Sequence, residues 1–198
     1  MTTLSHAHDH HEEEIASKVT FGFWIYLMTS AILFAALFAT YSVLHNNTYG
    51  SVNIQQITIL PRVLSETWVL LASAFTCGMS AIAFHKKNLL STQFCLLMTF
   101  IFALFFALMQ WHGFVQLFKA GYTWQGSAFL SAYFTLLGMH FFNVIAGLIW
   151  ILVLMVQLAM KAPVAMMKTR LTCLGLFFSF LNIIWVAIFT IIYLLGAI

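Results

Sequence analysis

Long apolar runs separated by short polar segments dominate the chain. Formal charges are absent from residues 19–61, 88–118, 120–160 and 171–198. A helix needs about 20 mainly apolar residues to cross the hydrocarbon core of a bilayer. The pattern predicts five transmembrane helices, at about residues 20–44, 62–84, 90–118, 128–160 and 171–197. The alternating period of a membrane β-barrel is missing from the sequence, so the predicted fold class is an all-α integral membrane protein.

The loop charges predict an orientation. Residues 1–19 form a His-rich polar tail, and residues 20–198 form the five-helix membrane domain. Five spans place the tail, the second loop and the fourth loop on one side, with six basic residues: Lys18, Lys86, Lys87, Lys161, Lys168 and Arg170. The opposite side has Arg62 and Lys119. Because Lys and Arg concentrate in cytoplasmic loops, we expect a cytoplasmic N-terminus and a periplasmic C-terminus.

The composition supports a membrane protein and excludes several other classes. Of the 198 residues, 63% are hydrophobic and 7% charged, and the mean hydropathy is +0.98. Soluble domains have about 45–50% apolar and about 25% charged residues. The eight Lys and Arg residues form no basic stripe, which argues against nucleic-acid binding. Three cysteines inside apolar runs, Cys77, Cys95 and Cys173, are expected to be small core residues.

The N-terminal tail contains the metal-capable stretch His6-Ala-His8-Asp9-His10-His11. Imidazoles close together in sequence can chelate Zn, Ni or Cu. The segment has no evident rigid scaffold around these side chains. An unstructured polar tail with incidental metal affinity is therefore the favoured interpretation, and a dedicated metal site is the alternative.

Few ionisable groups fall within the spans. Glu66 stands four residues after Arg62, so the two side chains are expected to pair, about 6–8 Å from the start of their helix. Such a carboxylate is either functional or part of an interfacial ion pair, and its shallow depth favours the pair. His112 and His140 are expected about 9 Å and 18 Å deep, which makes them poor co-ligands for one haem or metal. Both are predicted to be hydrogen-bonded core histidines.

The remaining polar residues recur at helical spacing and indicate helix–helix packing. We expect Asn143 and Asn182, with Ser179 one turn from Asn182, to hydrogen-bond across the fourth and fifth helices. The polar faces comprise Ser131, Thr135, Gly138, His140, Asn143 and Gly147 on the fourth helix, Gly175, Ser179, Asn182 and Val186 on the fifth, and Glu66, Ser73, Cys77 and Ser80 on the second. The candidate structural residues are Arg62, Glu66, His140, Asn143, Ser179 and Asn182. No catalytic, cofactor-binding or metal-ligating residue is predicted.

Several strings carry a family resemblance across nearly the whole chain beyond residue 20. They are FGFWIYLM (21–28), LFATY (37–41), LPRVLSET (60–67), VLLAS (69–73), FLSAYFTLLG (129–138), GLIW (147–150) and residues 185–196. They resemble the haem-copper oxidase subunit III family. The five-span form and the His-rich tail are similar to the cytochrome bo-type ubiquinol oxidase branch of that family.

The resemblance implies a non-catalytic subunit of a respiratory complex in the bacterial inner membrane. Such a complex oxidises ubiquinol, reduces oxygen to water and pumps protons. Haem and copper are then expected in the partner subunit I, with none in this chain. The implied partners are subunits I, II and IV and membrane lipids, including bound phospholipid, and the implied role is assembly and stability of subunit I.

The sequence departs from the family pattern where the family has titratable groups. Ser30 stands where a carboxylate is usual, and Gln110 where a glutamate is expected. The His-x-x-His pattern appears as His140-Phe-Phe-Asn143, and Trp-His-Phe-x-Asp as residues 178–182, FSFLN. Two alternatives stay open: subunit III of a related menaquinol or cytochrome c oxidase, and a small transporter, which the lack of an inverted repeat or buried charge disfavours.

Overall fold

Five long helices make up the described part of the protein. The computed structural model describes the backbone of residues 2–44, 60–160 and 164–194 and the side chains of residues 14–44, 61–160 and 166–193. Within these ranges the helices are α1 (Thr2–Leu44), α2 (Leu60–His85), α3 (Leu89–Lys119), α4 (Ala128–Ala159) and α5 (Val164–Ile188), and a π-helical turn (Phe189–Leu194) continues α5. Each contains a stretch long and apolar enough to cross a membrane. The predicted all-α fold with five transmembrane helices is confirmed.

The start of α1 corrects one expectation. The backbone is helical from Thr2, although residues 1–19 were expected to be an unstructured tail. The segment before the span contains Glu12, Glu13 and Glu14 and no Gly or Pro, so a helix nucleated in the apolar span can extend through it. The side chains of the tail histidines lie outside the described residues, so their metal affinity stays a prediction.

A short turn joins α2 and α3. Lys87 adopts a left-handed conformation with φ of 57°. The amide of Lys87 donates to the carbonyl of Phe84, and the amide of Asn88 donates to that of Ala83, the bonding pattern of a Schellman motif. The side chain of Asn88 then caps α3 by accepting from the amide of Ser91. The two helices therefore form a hairpin with only three residues between them.

The turn between α3 and α4 uses the same motif at the opposite end of the bundle. Gly121 has φ of 83°, a conformation that glycine adopts without steric penalty. The amide of Tyr122 donates to the carbonyl of Leu117, which closes the motif. Ser127 begins α4 by accepting a hydrogen bond from the amide of Leu130. This turn places the end of α3 and the start of α4 beside the polar site described below.

The helices are arranged around α4 and α5. Helix α1 packs on α4 and α5, α2 packs on α3 and α5, and α3 packs on α4. The buried share of the most apolar window rises from 11% in α1 to 44% in α5, so α1 is peripheral and α5 central. Trp185 of α5 is fully buried, and its ring meets Phe106 of α3 edge to face with centroids 4.8 Å apart. Aromatic packing of this kind forms the middle of the core.

Small and hydroxyl residues lie at several helix contacts. At Gly147 of α4, an added Cβ would come within 3.1 Å of the Phe177 ring of α5. Thr76 of α2 and Thr99 of α3 share a hydrogen bond of 3.0 Å. Close approach and interhelical hydrogen bonds of this kind are how membrane helices associate.

The polar face predicted for α2 is buried as a set, namely Glu66, Ser73, Cys77 and Ser80. The single face predicted for α4 is wrong. His140 and Asn143 are buried, whereas Ser131 and Thr135 are exposed. The nine residues from Ser131 to His140 correspond to about two and a half helical turns, so the two residues lie on opposite sides of α4, which the prediction overlooked.

Candidate functional site

Arg62, in the first turn of α2, ties that helix to the last turns of α3. Its Nε lies 3.4 Å from Oε1 of Glu66, one turn further along α2. Nη1 donates to Oε1 of Gln116 at 2.6 Å, and Nη2 donates to the main-chain carbonyl of Met109 at 2.6 Å. All three guanidinium nitrogens are therefore engaged. We call these four residues, Arg62, Glu66, Met109 and Gln116, the Arg62 clamp.

The ion pair of the Arg62 clamp is largely buried and is not a surface ion pair. The side chain of Arg62 is 25% exposed and that of Glu66 only 7%. A buried carboxylate needs a charged or hydrogen-bonding partner, since desolvation strongly disfavours an isolated ion. The structure brings Arg62 and Glu66 together as their spacing predicted, and adds cross-helix contacts that the spacing did not indicate.

Gly113 makes room for the clamp on α3. A Cβ atom placed on Gly113 would lie 3.3 Å from Nη2 and 3.7 Å from Cζ of Arg62. The guanidinium thus rests directly against the backbone of α3, where any larger residue would crowd it. This close approach lets Arg62 reach the carbonyl of Met109, one turn earlier on α3.

A cavity of about 220 Å³ lies beside the Arg62 clamp, between α2, α3, α4 and the π-helical end of α5. We call it the Gln110 cavity. Its polar lining includes Arg62, Glu66, Gln110, Tyr133 and Tyr193. The hydroxyls of Tyr133 and Tyr193 lie 3.1 Å apart and share a hydrogen bond that joins α4 to the end of α5. The cavity is therefore a polar space within an otherwise apolar bundle.

Gln110 is the unusual residue of this lining. It is 4% exposed. Neither its Nε2 nor its Oε1 has a hydrogen-bond partner within the part of the chain that the structure describes. Buried amides in proteins are normally hydrogen-bonded, so this side chain requires an explanation.

His140 lies deeper in the bundle, between the rings of Phe106 and Trp185. Its Nε2 is 3.2 Å from the carbonyl oxygen of Leu181 on α5. A carbonyl can only accept, so Nε2 carries the proton and Nδ1 is an acceptor. Nδ1 has no partner among the described residues. His140 is thus a core histidine as predicted, but it is hydrogen-bonded on one side only.

His112 is placed differently from the expectation. It was predicted to be a core histidine, but the structure places its side chain on the exposed face of α3. Gln110 and Gly113 on the same helix lie against the clamp and its cavity, whereas Trp111 and His112 face outward. The depth of a residue along a helix does not determine the face that it occupies.

The predicted hydrogen bond between Asn143 and Asn182 is wrong. Nδ2 of Asn143 donates to the carbonyl of Met139, and Nδ2 of Asn182 donates to the carbonyl of Phe178, each within its own helix. Ser179, expected nearby, is exposed.

The positions of Asn143 and Asn182 along the axis of the bundle explain why the two side chains do not bond to each other. His140 and Leu181 are level, since they share a hydrogen bond. Asn143 is three residues away from that level in one direction and Asn182 one residue in the other. At 1.5 Å per residue, the two amides are offset by about 6 Å along the bundle.

Several residues of this site were not predicted from the sequence. Indole Nε1 of Trp185 donates to Oγ1 of Thr67 at 3.0 Å, which joins α5 to α2 one residue from Glu66. The contacts of Gln116 and the tyrosine pair were also unpredicted. One feature of the sequence could have indicated the contact between Arg62 and Gln116. An arginine at the end of an apolar run must find acceptors on its neighbours, and the only side-chain amides in the last third of α3 are Gln110 and Gln116.

Comparison with known proteins gives the site its context. The model of the family described as cytochrome c oxidase subunit III matches residues 1–197. The chain belongs to the cytochrome c oxidase subunit III family. Among the described side chains, no group of three or more His, Cys, Asp or Glu residues is placed to hold a metal ion. With its five membrane helices, this member of the subunit III family is a multi-pass protein of the bacterial inner membrane.

The similar family members span nearly the full chain. The cytochrome bo(3) ubiquinol oxidase subunit 3 of Pseudomonas aeruginosa is 43% identical over 194 residues, covering 98% of this chain and 92% of that protein. The protein of the same name from Buchnera aphidicola is 37% identical, covering 100% and 96%. Quinol oxidase subunit 3 of Bacillus subtilis is 31% identical, covering 97% and 94%. Membership in this family implies a complex with other oxidase subunits.

Proposed function

We propose that the chain is the non-catalytic subunit III of a cytochrome bo-type ubiquinol oxidase. The observation that carries the proposal is the full-length similarity, at 37–43% identity, to proteins named cytochrome bo(3) ubiquinol oxidase subunit 3. The complex would oxidise ubiquinol, reduce oxygen to water and pump protons. This chain would support its assembly and stability.

The partners and cofactors follow from that proposal. Haem and copper would reside in subunit I, and subunits II and IV would complete the assembly together with bound phospholipid. The arrangement of polar groups supports a structural role. The Arg62 clamp joins α2 to α3, the Tyr133–Tyr193 bond joins α4 to the end of α5, and the Trp185–Thr67 bond joins α5 to α2. These contacts stabilise the bundle that subunit I would contact.

Two other electron donors are alternatives to ubiquinol. The Bacillus subtilis relative is named quinol oxidase subunit 3 without a stated quinol, and the family model is described by cytochrome c oxidase. Menaquinol and cytochrome c are therefore the alternative donors. The higher identity to the bo(3)-named relatives favours ubiquinol.

We also propose that the N-terminus is cytoplasmic and the C-terminus periplasmic. Six basic residues near one end of the bundle against two at the other support this orientation. A reporter that is active only in the periplasm, fused after Ile198, should be active, and the same reporter fused into the α2–α3 turn after Lys87 should be inactive. The opposite pattern would overturn the orientation.

The function is tested by purification of the tagged chain from native membranes. We expect the other oxidase subunits to co-purify, the preparation to show haem absorption, and ubiquinol to be oxidised in preference to menaquinol or reduced cytochrome c. A control preparation from cells lacking this chain should yield less intact complex. Preference for another donor would establish that alternative, and co-purification without any haem protein would refute the proposal.

A further inference from the structure

The Gln110 cavity contains a buried amide whose hydrogen-bonding groups are unused by the described residues. The amide has two donors on Nε2 and an acceptor on Oε1, and both atoms are inaccessible to bulk solvent. Excluding an amide from water without replacing its hydrogen bonds is unfavourable. Gln110 is one of the residues that line the cavity, and because its amide atoms expose almost no surface to a water-sized probe, the side chain must turn toward that space to reach a partner in it.

The lining determines which ligand fits. The guanidinium nitrogens of Arg62 are already engaged with Glu66, Gln116 and Met109, and Glu66 presents negative charge, so an anion is disfavoured. The neighbouring guanidinium disfavours a cation at the same place. An apolar chain would leave the amide of Gln110 without a partner and would add no hydrogen bond to the carboxylate of Glu66 beyond its contact with Arg62. A neutral ligand that both donates and accepts hydrogen bonds satisfies every group.

We propose that the Gln110 cavity is a binding site for a cluster of ordered water molecules that hydrogen-bond the side chain of Gln110 and connect it to Glu66 and the Tyr133–Tyr193 pair. A water molecule occupies about 30 Å³ in the liquid, so about 220 Å³ holds several. Buried waters of this kind typically make about three hydrogen bonds to otherwise unpaired polar groups. The cluster keeps the buried carboxylate of Glu66 solvated within the membrane domain.

The first test is direct observation. Cryo-electron microscopy of the chain in its native assembly, at a resolution that shows ordered water, should reveal water densities within hydrogen-bonding distance of the Gln110 amide, with at least one also contacting Glu66 or a tyrosine hydroxyl. A cavity without such densities, or one filled by an acyl chain or another molecule, would overturn the proposal. This result does not depend on which electron donor the assembly uses.

The second test is a substitution whose direction separates a hydrated cavity from a dry one. Gln110→Met keeps the approximate size of the side chain and removes the amide. If waters bind the amide, the change removes their hydrogen bonds and should lower the thermal midpoint of the assembly by about 2–4 °C. If the cavity is dry, the change removes an unpaired buried amide, and the midpoint should stay the same or rise, which contradicts the proposal.

The matched control for this substitution is Gln93→Met. Gln93 lies near the opposite end of α3, is only partly buried and does not line the cavity. It should leave the midpoint within about 1 °C, since surface substitutions away from special features change stability little. A loss as large in the control would show that the effect of Gln110→Met is not specific to the cavity, and would remove that support for the proposal.

Discussion

Nη2 of Arg62 lies 3.3 Å from the point that a Cβ atom would occupy at Gly113. This contact predicts that Gly113→Leu displaces the guanidinium from Met109 and Gln116. We expect a loss of about 1–3 kcal/mol in stability, in the range for overpacking, measured as a lower midpoint in thermal unfolding of the assembled complex. Gly78→Leu is the control, because nothing lies within 4 Å of a Cβ at Gly78.

A second measurement tests whether crowding of Arg62 causes the loss of stability in Gly113→Leu. If the guanidinium is what Gly113→Leu crowds, the loss should be smaller in an Arg62→Ala background, because neighbouring residues couple. Equal losses in both backgrounds would show that crowding of Arg62 is not responsible.

A second prediction concerns the buried ion pair. Arg62→Leu leaves the Glu66 carboxylate without its charged partner, although the Glu66 side chain is only 7% exposed. Removing one member of a buried pair typically costs about 3–5 kcal/mol, and the partial exposure of Arg62 reduces our expectation to about 2–3 kcal/mol. The double variant Arg62→Leu with Glu66→Leu should recover part of this loss, as measured by the same thermal midpoint.

The exposed pair of α1 provides the control for that experiment. Lys18 and Glu14 have the same four-residue spacing and lie 2.7 Å apart, but their side chains are 73% and 61% exposed. Lys18→Leu should change stability by less than about 0.5 kcal/mol, because exposed ion pairs contribute little. A double variant of Arg62 and Glu66 less stable than the Arg62 single variant would contradict the desolvation argument.

The bond between Trp185 and Thr67 leads to a third prediction. Thr67→Val keeps the shape of the side chain and removes the acceptor of the buried indole N–H. We expect a loss of about 1–2 kcal/mol, with a smaller loss for Thr67→Ser, which retains the hydroxyl. Thr29→Val should have almost no effect, since the Thr29 hydroxyl is exposed and bonds only to the Ile25 carbonyl one turn earlier. Similar midpoints for Thr67→Val and Thr29→Val would mean that the indole bond contributes nothing.

A fourth prediction concerns Asn143 and Asn182. Because each amide donates within its own helix, the effects of Asn143→Leu and Asn182→Leu on stability should add, with a coupling energy below about 0.5 kcal/mol. A double-mutant cycle on the thermal stability of the complex measures this term. Partial rescue in the double variant would show that the two residues are partners after all.

Local features were predictable from the sequence and relations between helices were not. The charge-free runs located the five spans, because the bilayer imposes their length. The pairing of Arg62 with Glu66 followed from a four-residue spacing within one helix. The pairing of Asn143 with Asn182 required the relative level of two helices, which packing around Gly147 and His140 determines. His112 was misplaced for a related reason, since helix rotation depends on the neighbours.

The candidate site, like the fold, was predictable from the sequence only in its local features. The sequence identified Glu66 and His140 as notable because ionisable groups are rare in spans. It singled out Gln110 only as a departure from a glutamate of the family and not as a site residue, because the partners of an uncharged amide in an apolar run do not follow from the sequence. Only the folded structure places this residue in the lining of a polar cavity, together with Glu66, Tyr133 and Tyr193.

The three-residue turn between α2 and α3 affects how the protein enters the membrane. Arg62 is near the start of α2, and its partners Met109 and Gln116 arrive only when α3 has been synthesised. An arginine at the edge of a span is tolerated while it reaches the headgroup region, but its donors are satisfied within protein only by α3. The short turn returns α3 alongside α2 without delay. Insertion of the two helices together as a hairpin would therefore let the arginine donors find their acceptors within the protein.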